Sequence, residues 1–394
     1  RSNRQPVRVD QVEIATVAAD FALNPEQFTL QELRVVPADG GGVLAQGQAD
    51  LTDLTDPRFQ LTAQVDVPVD PFTERYGVAL PADTVIGSFT ADVAAEGTLQ
   101  SQTAFAQWQL SDSSFPGGGE VTLADNRILV DNTRLQVSDG TVTANAIAEL
   151  ETGTWQATAT TSQVPIEQFT NQAQGALSAN LTAEGNLYDF DLAKIQAGGD
   201  ATVADARVQL TPDSEPLLPP GDWVTTFAWQ GDRLAIANFT APNIQADGTL
   251  GVDFAQAIPL GAIALNVALR DFDLRPLNSL APATVHDYAQ IAGLTSFTGQ
   301  ITGTLEYPQV SGIARLEDLA RNQFAFEPLA GPVDLSLANG GQIDLQGTGD
   351  LLALVVNADP WPVSFGVRNQ AFLAAGYGAG RQIHVDIQQL PLAE

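Results

Sequence analysis

The sequence predicts an all-β protein built as a repeat array, an elongated sheet of short strands with a few short helices between repeats. Three observations predict it. Apolar and polar residues alternate with period two over most of the chain. Three sequence lines recur in a fixed order. Gly, Asp, Asn and Pro punctuate the alternating runs at strand-length intervals.

The first line is Gly87-Ser-Phe-Thr-Ala-Asp-Val-Ala-Ala-Glu-Gly97-Thr-Leu99. It returns as Gly175-Ala-Leu-Ser-Ala-Asn-Leu-Thr-Ala-Glu-Gly185-Asn-Leu187 and, more loosely, from Gly293 through Gly303 to Leu305. In the second copy Leu177, Ala179, Leu181 and Ala183 point one way, and Ser178, Asn180, Thr182 and Glu184 the other. The second line starts at a Gly-rich turn and enters a strand: Asp39 to Leu51, Asp139 to Leu150, Asp247 to Phe254 and Gly340 to Leu351. Its leading apolar residues, Val43, Val142, Leu250 and Ile343, are 99, 108 and 93 residues apart. The unit is therefore about 100 residues long, and the approximate repeats are 1–99, 100–187, 188–305 and 306–394.

The third line is Val67-Pro-Val-Asp-Pro-Phe72, Val164-Pro-Ile-Glu-Gln-Phe169 and, degenerately, Phe272-Asp-Leu-Arg-Pro-Leu277. Each copy follows a strand, and short helices are expected directly after it, at Pro71 to Tyr76, Ile166 to Ala173 and Pro282 to Ala292. Placed at the seams, such helices would cover sheet edges. Leu390-Pro-Leu392 is a last trace of this line, which predicts that the array is cut from a longer chain.

An alternating strand must bury its apolar face, either by stacking two sheets or by curling one over itself. Many in-facing residues of the recurring lines are small, among them Ala45, Ala91, Ala144 and Ala179. That leaves open a curled sheet with internal space, or a solid core with tight packing.

Composition bounds the function. With 17 basic against 47 acidic residues in 394, the formal charge is −30, which repels a nucleic-acid backbone or an anionic bilayer surface. A hydrophobic content of 44% argues for folding despite that charge. The absence of Cys excludes a disulfide scaffold, a thiol nucleophile and a Cys-ligated zinc site, and the absence of Met predicts a mature or excised piece. The closest approach to a membrane span, Phe254 to Leu269, is broken by Pro259.

Catalytic chemistry finds little support. His286 and His384 lie far apart without a metal spacing. The pairs Asp189/Asp191 and Asp271/Asp273 are expected by chance in so acidic a chain, and alternation puts each pair on its wet face. Gly376-Tyr-Gly-Ala-Gly380 lacks a following Lys-Ser/Thr and reads as a turn, and no Gly-x-Ser-x-Gly elbow occurs. Trp108, Trp155, Trp223, Trp229 and Trp361 suit packing or lining better than a carbohydrate platform. The expectation is a protein that is not an enzyme, with no metal and no cofactor.

The Gly-x-Leu-x-Ala-x-Leu-x-Ala-x-Gly-x-Leu strands, the Asp-Gly-x-Val-x-Ala turns, the Val-Pro-x-x-x-Phe linker and Phe324-Ala-Phe-Glu-Pro-Leu-Ala-Gly-Pro-Val333 together resemble the TamB translocation-and-assembly family of AsmA-like envelope proteins. The resemblance covers nearly the whole chain. It implies a sheet curled like a taco around a hydrophobic groove, bridging inner and outer membranes across the periplasm and carrying phospholipid acyl chains. It also implies a BamA-type pore partner and an inner-membrane anchor, neither recognisable in these residues, and no nucleic acid. The residues expected to line the groove are Val43, Ala45, Phe89, Ala91, Val93, Val142, Ala144, Leu177, Ala179, Leu181, Leu250, Val252, Phe254, Phe297, Ile301, Ile343 and Leu345. The alternative is a scaffold or chaperone-like surface in outer-membrane protein assembly, whose sheet edges pair with incoming strands. A β-helical adhesin or polysaccharide enzyme fits poorly, because β-helix coils repeat at much shorter periods.

Overall fold

Period-two alternation becomes strand after strand. The computed structural model describes residues 7–9, 12–71, 84–98, 100–168, 173–189, 191–209, 216, 218–252, 260–280, 291–304, 306–321, 324–336, 338–357, 362–369, 372–379 and 382–389. The chain divides into two units, Arg1–Pro165 with Ala176–Ala197, and Ile166–Gly175 with Gly198–Glu394.

The strands β1 to β6 are Val7–Val9, Val12–Leu23, Gln27–Pro37, Gly42–Asp50, Arg58–Pro68 and Ser88–Gly97. Strands β7 to β12 are Gln102–Ser111, Gly117–Ala124, Arg127–Val137, Gly140–Glu149, Thr154–Pro165 and Ala173–Asn186. Then come β13 to β19, at Gln196–Val208, Gly221–Gln230, Arg233–Ala241, Ile244–Val252, Leu260–Asp273, Ile291–Thr304 and Pro308–Arg321. The last are β20 to β26, at Phe324–Ala325, Leu329–Ser336, Gly340–Gln346, Leu351–Asn357, Pro362–Asn369, Phe372–Ala379 and Gln382–Gln389.

Within the first unit each strand from β1 to β12 pairs antiparallel with the next. The second unit repeats this meander from β14 onward, with β19 pairing both the two-residue β20 and β21. Among the described residues no pairing joins a last strand to a first, so neither meander closes into a barrel. The fold is all-β, as the alternation predicts.

Helices after the third line are not found among the described residues. Ile166–Gln168 is a single 3-10 turn, and Ala173 already begins β12. Of Pro71 to Tyr76 only Pro71 is described; of Pro282 to Ala292 only Ile291 and Ala292 are, and these are strand. The other described helical pieces, Leu192–Lys194 and Arg275–Leu280, are also 3-10. Stretches of three to six residues are too short to nucleate an α-helix, which needs several turns before its bonds outweigh its ordering cost.

What the third line does instead is clamp the strand that follows. Asp70 accepts from the backbone N–H of Ile86 at 2.7 Å and of Gly87 at 3.0 Å. Glu167 accepts from Gly175 N–H at 3.4 Å, and Asn278 both accepts from Ile291 N–H at 2.9 Å and donates to its carbonyl at 2.8 Å. A polar side chain just past each linker thus ties down the start of the next first-line strand.

A second recurring device is a β-bulge. Register shifts between Thr161 and Val164 and between Leu269 and Phe272, and Gln163 and Asp271 carry φ of 53° and 48°. Their freed N–H groups donate to Ser178 Oγ and Ser296 Oγ, each at 3.2 Å. Each serine stands three residues after the glycine that opens its line. Such bulges bend and over-twist the strand that carries them.

Burial is shallow. The chain exposes 24458 Å², whereas two separate compact bodies of half its mass would expose about 18,000 Å². Fully buried apolar residues of the first unit are small or β-branched, Ala45, Ala91, Val137, Ala148, Val164 and Ala179. The second unit has a true cluster, in which Ala314, Leu329 and Leu345 are packed by Phe297, Leu316, Leu319, Phe326, Val333, Ile343 and Leu352.

Candidate functional site: one apolar sheet face

Directly paired residues of an antiparallel sheet lie on the same face, so register shows how far an apolar surface extends. One row begins at Leu33 and crosses Ala45, Ala63, Val93, Ala106 and Val121. It continues through Val130, Ala146, Ala157 and Ala183. Ten consecutive strands, β3 to β12, supply it without a polar side chain. A neighbouring row spans the same strands from Leu30 through Gly47, Leu61, Ala95 and Ala104, then Leu123, Ile128, Ala148, Trp155 and Gly185.

The residues expected to line a groove in this unit share that face. Val43 pairs Val65, which pairs Ala91; Phe89 pairs Val67; and Val93 stands in the first row. Ala144 pairs Ala159, which pairs Leu181, while Val142 pairs Thr161, which pairs Ala179. Leu177 pairs Val164. In the second unit Leu250 pairs Ile263 and Val252 pairs Leu260; Ile301 pairs Leu265; and Phe297 pairs Ala314. Ile343 pairs Val333, and Leu345 pairs Leu352. Phe254 lies outside the described residues, as do Trp361, His286 and Leu390 to Leu392.

Both faces belong to the same strands, yet they differ in exposure beyond what residue size explains. Ala91 is 8% exposed and Ala95 half-buried, while Ala94, the same residue type between them but facing the other way, is exposed. The alternation repeats down β5, β7 and β11, where every second residue is exposed and its neighbours are half-buried.

Aromatic rings on the apolar face lie over glycines. A Cβ added at Gly119 would meet Trp108 at 3.0 Å, and one at Gly185 would meet the Trp155 indole at 2.9 Å. Phe297 stands likewise over Gly299 and Gly312, and Phe365 over Gly376. Glycine lets the ring lie flat on the backbone, which buries the ring and keeps the surface low. Phe89 stacks on Trp108 at 6.1 Å. Gly376 is therefore part of strand β25, not a turn as its Gly-rich context predicts, because Phe365 on the paired strand occupies the space a side chain would need.

The opposite face is a lattice of amides. Gln27 donates to Gln48 at 3.2 Å and Gln48 to Gln60 at 3.1 Å; in the second unit Gln300 donates to Asn266 and Asn266 to Asp247. Depressions of about 830, 740 and 530 Å³ in the first unit are lined largely by this face, with exposed Phe105 flooring two of them. Cross-strand amide donors thus quench many of the carboxylates that make the chain acidic.

The carboxylate pairs serve local structure. Lys194 stands 2.5 Å from Asp189, Asp191 accepts from Ala193 N–H at 2.9 Å, and Asp273 holds Arg275. The Arg275 guanidinium keeps the Asp273 carboxyl below its ordinary value. His384 stacks on Tyr377 at 4.9 Å. Among the described residues no three His, Asp or Glu side chains converge as metal ligands, and no helix is long and apolar enough to cross a membrane.

Sequence reasoning missed β5 and β7 as contributors, although Phe59-x-Leu-x-Ala-x-Val-x-Val67 and Ala104-x-Ala-x-Trp-x-Leu110 carry the same alternation. Comparison with protein-family models, with characterised proteins and with solved structures returns no match.

Proposed function

We propose that the apolar face is a conduit for phospholipid acyl chains, and that the chain is a segment of a TamB-like, AsmA-like protein bridging the inner and outer membranes across the periplasm. In this reading the sheet curls toward its apolar face to form a taco-like groove, and the anchor and the BamA-type pore partner belong to other parts of the machinery. The observation that carries it is the contrast within β6, where Ala91 is 8% exposed and Ala94 is exposed on the reverse face, repeated along apolar rows that cross ten strands.

Energetics favour such a surface over a single pocket. Each methylene kept from water is worth about 0.8 kcal/mol, so a continuous dry path removes a large barrier to crossing an aqueous compartment. Rows of Ala, Val, Leu and Gly give weak and similar contacts at successive positions, which lets a chain slide. No residue needs to react.

The test is extraction of acyl-labelled fluorescent phospholipid from phosphatidylethanolamine–phosphatidylglycerol vesicles by the purified protein. Ala146→Glu places a charge in the middle of the first row and is expected to reduce extraction several-fold, whereas Asn145→Glu, next to it on the wet face, leaves extraction unchanged. Equal effects from both substitutions, or none from either, would sink the reading.

A further inference from the structure

Strand β2 is the most exposed long strand of the first unit. All nine residues from Ala15 to Leu23 are exposed, with Val17 and Phe21 each at 58% and Leu23 at 66%. On one side this stretch pairs with β3. On the other, β1 reaches only as far as Ile14, and among the described residues nothing pairs beyond it. Nine residues of backbone donors and acceptors and a row of apolar side chains therefore end at an open edge, a template for strand addition.

The side chains at this edge belong to the apolar face. Val17 pairs Val35, Ala19 pairs Leu33 and Phe21 pairs Leu30, and the last two head the ten-strand rows. A strand added here extends those rows only if its own alternation has the same phase. The stretch Ala15-Thr-Val-Ala-Ala-Asp-Phe-Ala-Leu23 has that phase when paired antiparallel with itself about Ala19. Ala15 then opposes Leu23, Val17 opposes Phe21, and the one charged residue, Asp20, opposes Ala18 instead of another carboxylate. From these features we infer that β2 is a self-association edge, pairing antiparallel with β2 of a second copy about a two-fold axis at Ala19.

The exposed strand β26 presents Val385 at 52% and Ile387 at 47%, also apolar. Joining it to β2 of another copy is a heterologous contact that propagates, whereas the β2 pair is closed after two copies. Each copy carries a formal charge of −30, so the pair forms against repulsion that salt screens over about 8 Å at physiological ionic strength. Association therefore strengthens as salt is raised, opposite to a contact made by ion pairs.

The absence of cysteine makes the register directly testable. Directly opposed residues have Cα atoms about 4.5–5.5 Å apart, within the roughly 4.4–6.8 Å that a disulfide spans. Ala19→Cys is expected to give an oxidised dimer rapidly; Ala15→Cys alone does not, but does when mixed with Leu23→Cys. By sedimentation, the unmodified chain is expected to form a salt-strengthened dimer, weakened at least tenfold by Phe21→Lys, a change at an exposed position that leaves folding intact. Cross-linking of Ala15→Cys with itself as readily as Ala19→Cys overturns the inference in favour of unspecific edge contact. Cross-linking of Ala19→Cys with Val385→Cys overturns it in favour of a head-to-tail chain, and a monomer at every concentration and salt overturns it outright.

Discussion

The ten-strand apolar face of the first unit and the cluster around Leu329 in the second start from the same alternation and reach different states. In the first, only alanines and a few valines are fully buried, and the larger residues stay half-buried. In the second, Leu329 is 0% exposed and Leu345 3%, with Phe326 packed against them. The difference is local. Phe326 donates its N–H to Leu319, and the next residue, Glu327, is locked to the 349–350 turn: Glu327 N–H donates to Asp350 at 2.9 Å, and Asp350 N–H returns a bond to Glu327 at 2.7 Å. A segment held down in this way converts an apolar face into a core. Where no such segment is held, the face stays available.

That contrast makes Leu329→Ala the most damaging simple truncation, expected to cost about 2–5 kcal/mol because the cavity cannot refill. Leu181→Ala, the same change on the uncovered face, is expected to cost less than half as much, since its surroundings already meet solvent or cargo. Denaturant unfolding of the two variants measures the gap. Equal losses would mean that both sites are ordinary core.

A smaller effect is expected at the bulges. Ser296→Ala removes the acceptor for Asp271 N–H and is expected to cost about 1 kcal/mol, with Ser296→Thr restoring it. Hydrogen exchange at Asp271 reads the change directly.

The Glu327 lock also gives a pH dependence. Backbone N–H groups of Gly349 and Asp350 hold its carboxyl below the ordinary glutamate value, with Arg368 assisting. A depressed folded pKa means the stabilisation is present above the ordinary glutamate range and is lost as pH falls through the folded value. The stability difference between the unmodified chain and Glu327→Gln is therefore expected to be constant near neutrality and to shrink in acid. A difference that grows on acidification would contradict the lock.

Much of this was legible in the sequence, for identifiable reasons. Alternation in Leu177-x-Ala-x-Leu-x-Ala183 specifies a face because strand geometry leaves no other choice. The recurrence of Ser178 and Ser296 three residues after a glycine was also visible, but not its use. A bulge at Gln163 or Asp271 depends on an acceptor presented by the next strand, and neither residue type announces a positive φ. The expected helices failed because turn-rich linkers of this length are satisfied more cheaply by one capping side chain than by a helix. Gly376 was misread because a glycine beneath an aromatic ring on the paired strand looks, in one dimension, like a turn.

The most direct measurement places a photo-crosslinking residue at Leu181 on the apolar face, and separately at Thr182 on the wet face, in cells making the protein. The account predicts phospholipid adducts at 181 and few or none at 182. Equal labelling at both positions, or none at 181, would contradict a lipid-bearing apolar face.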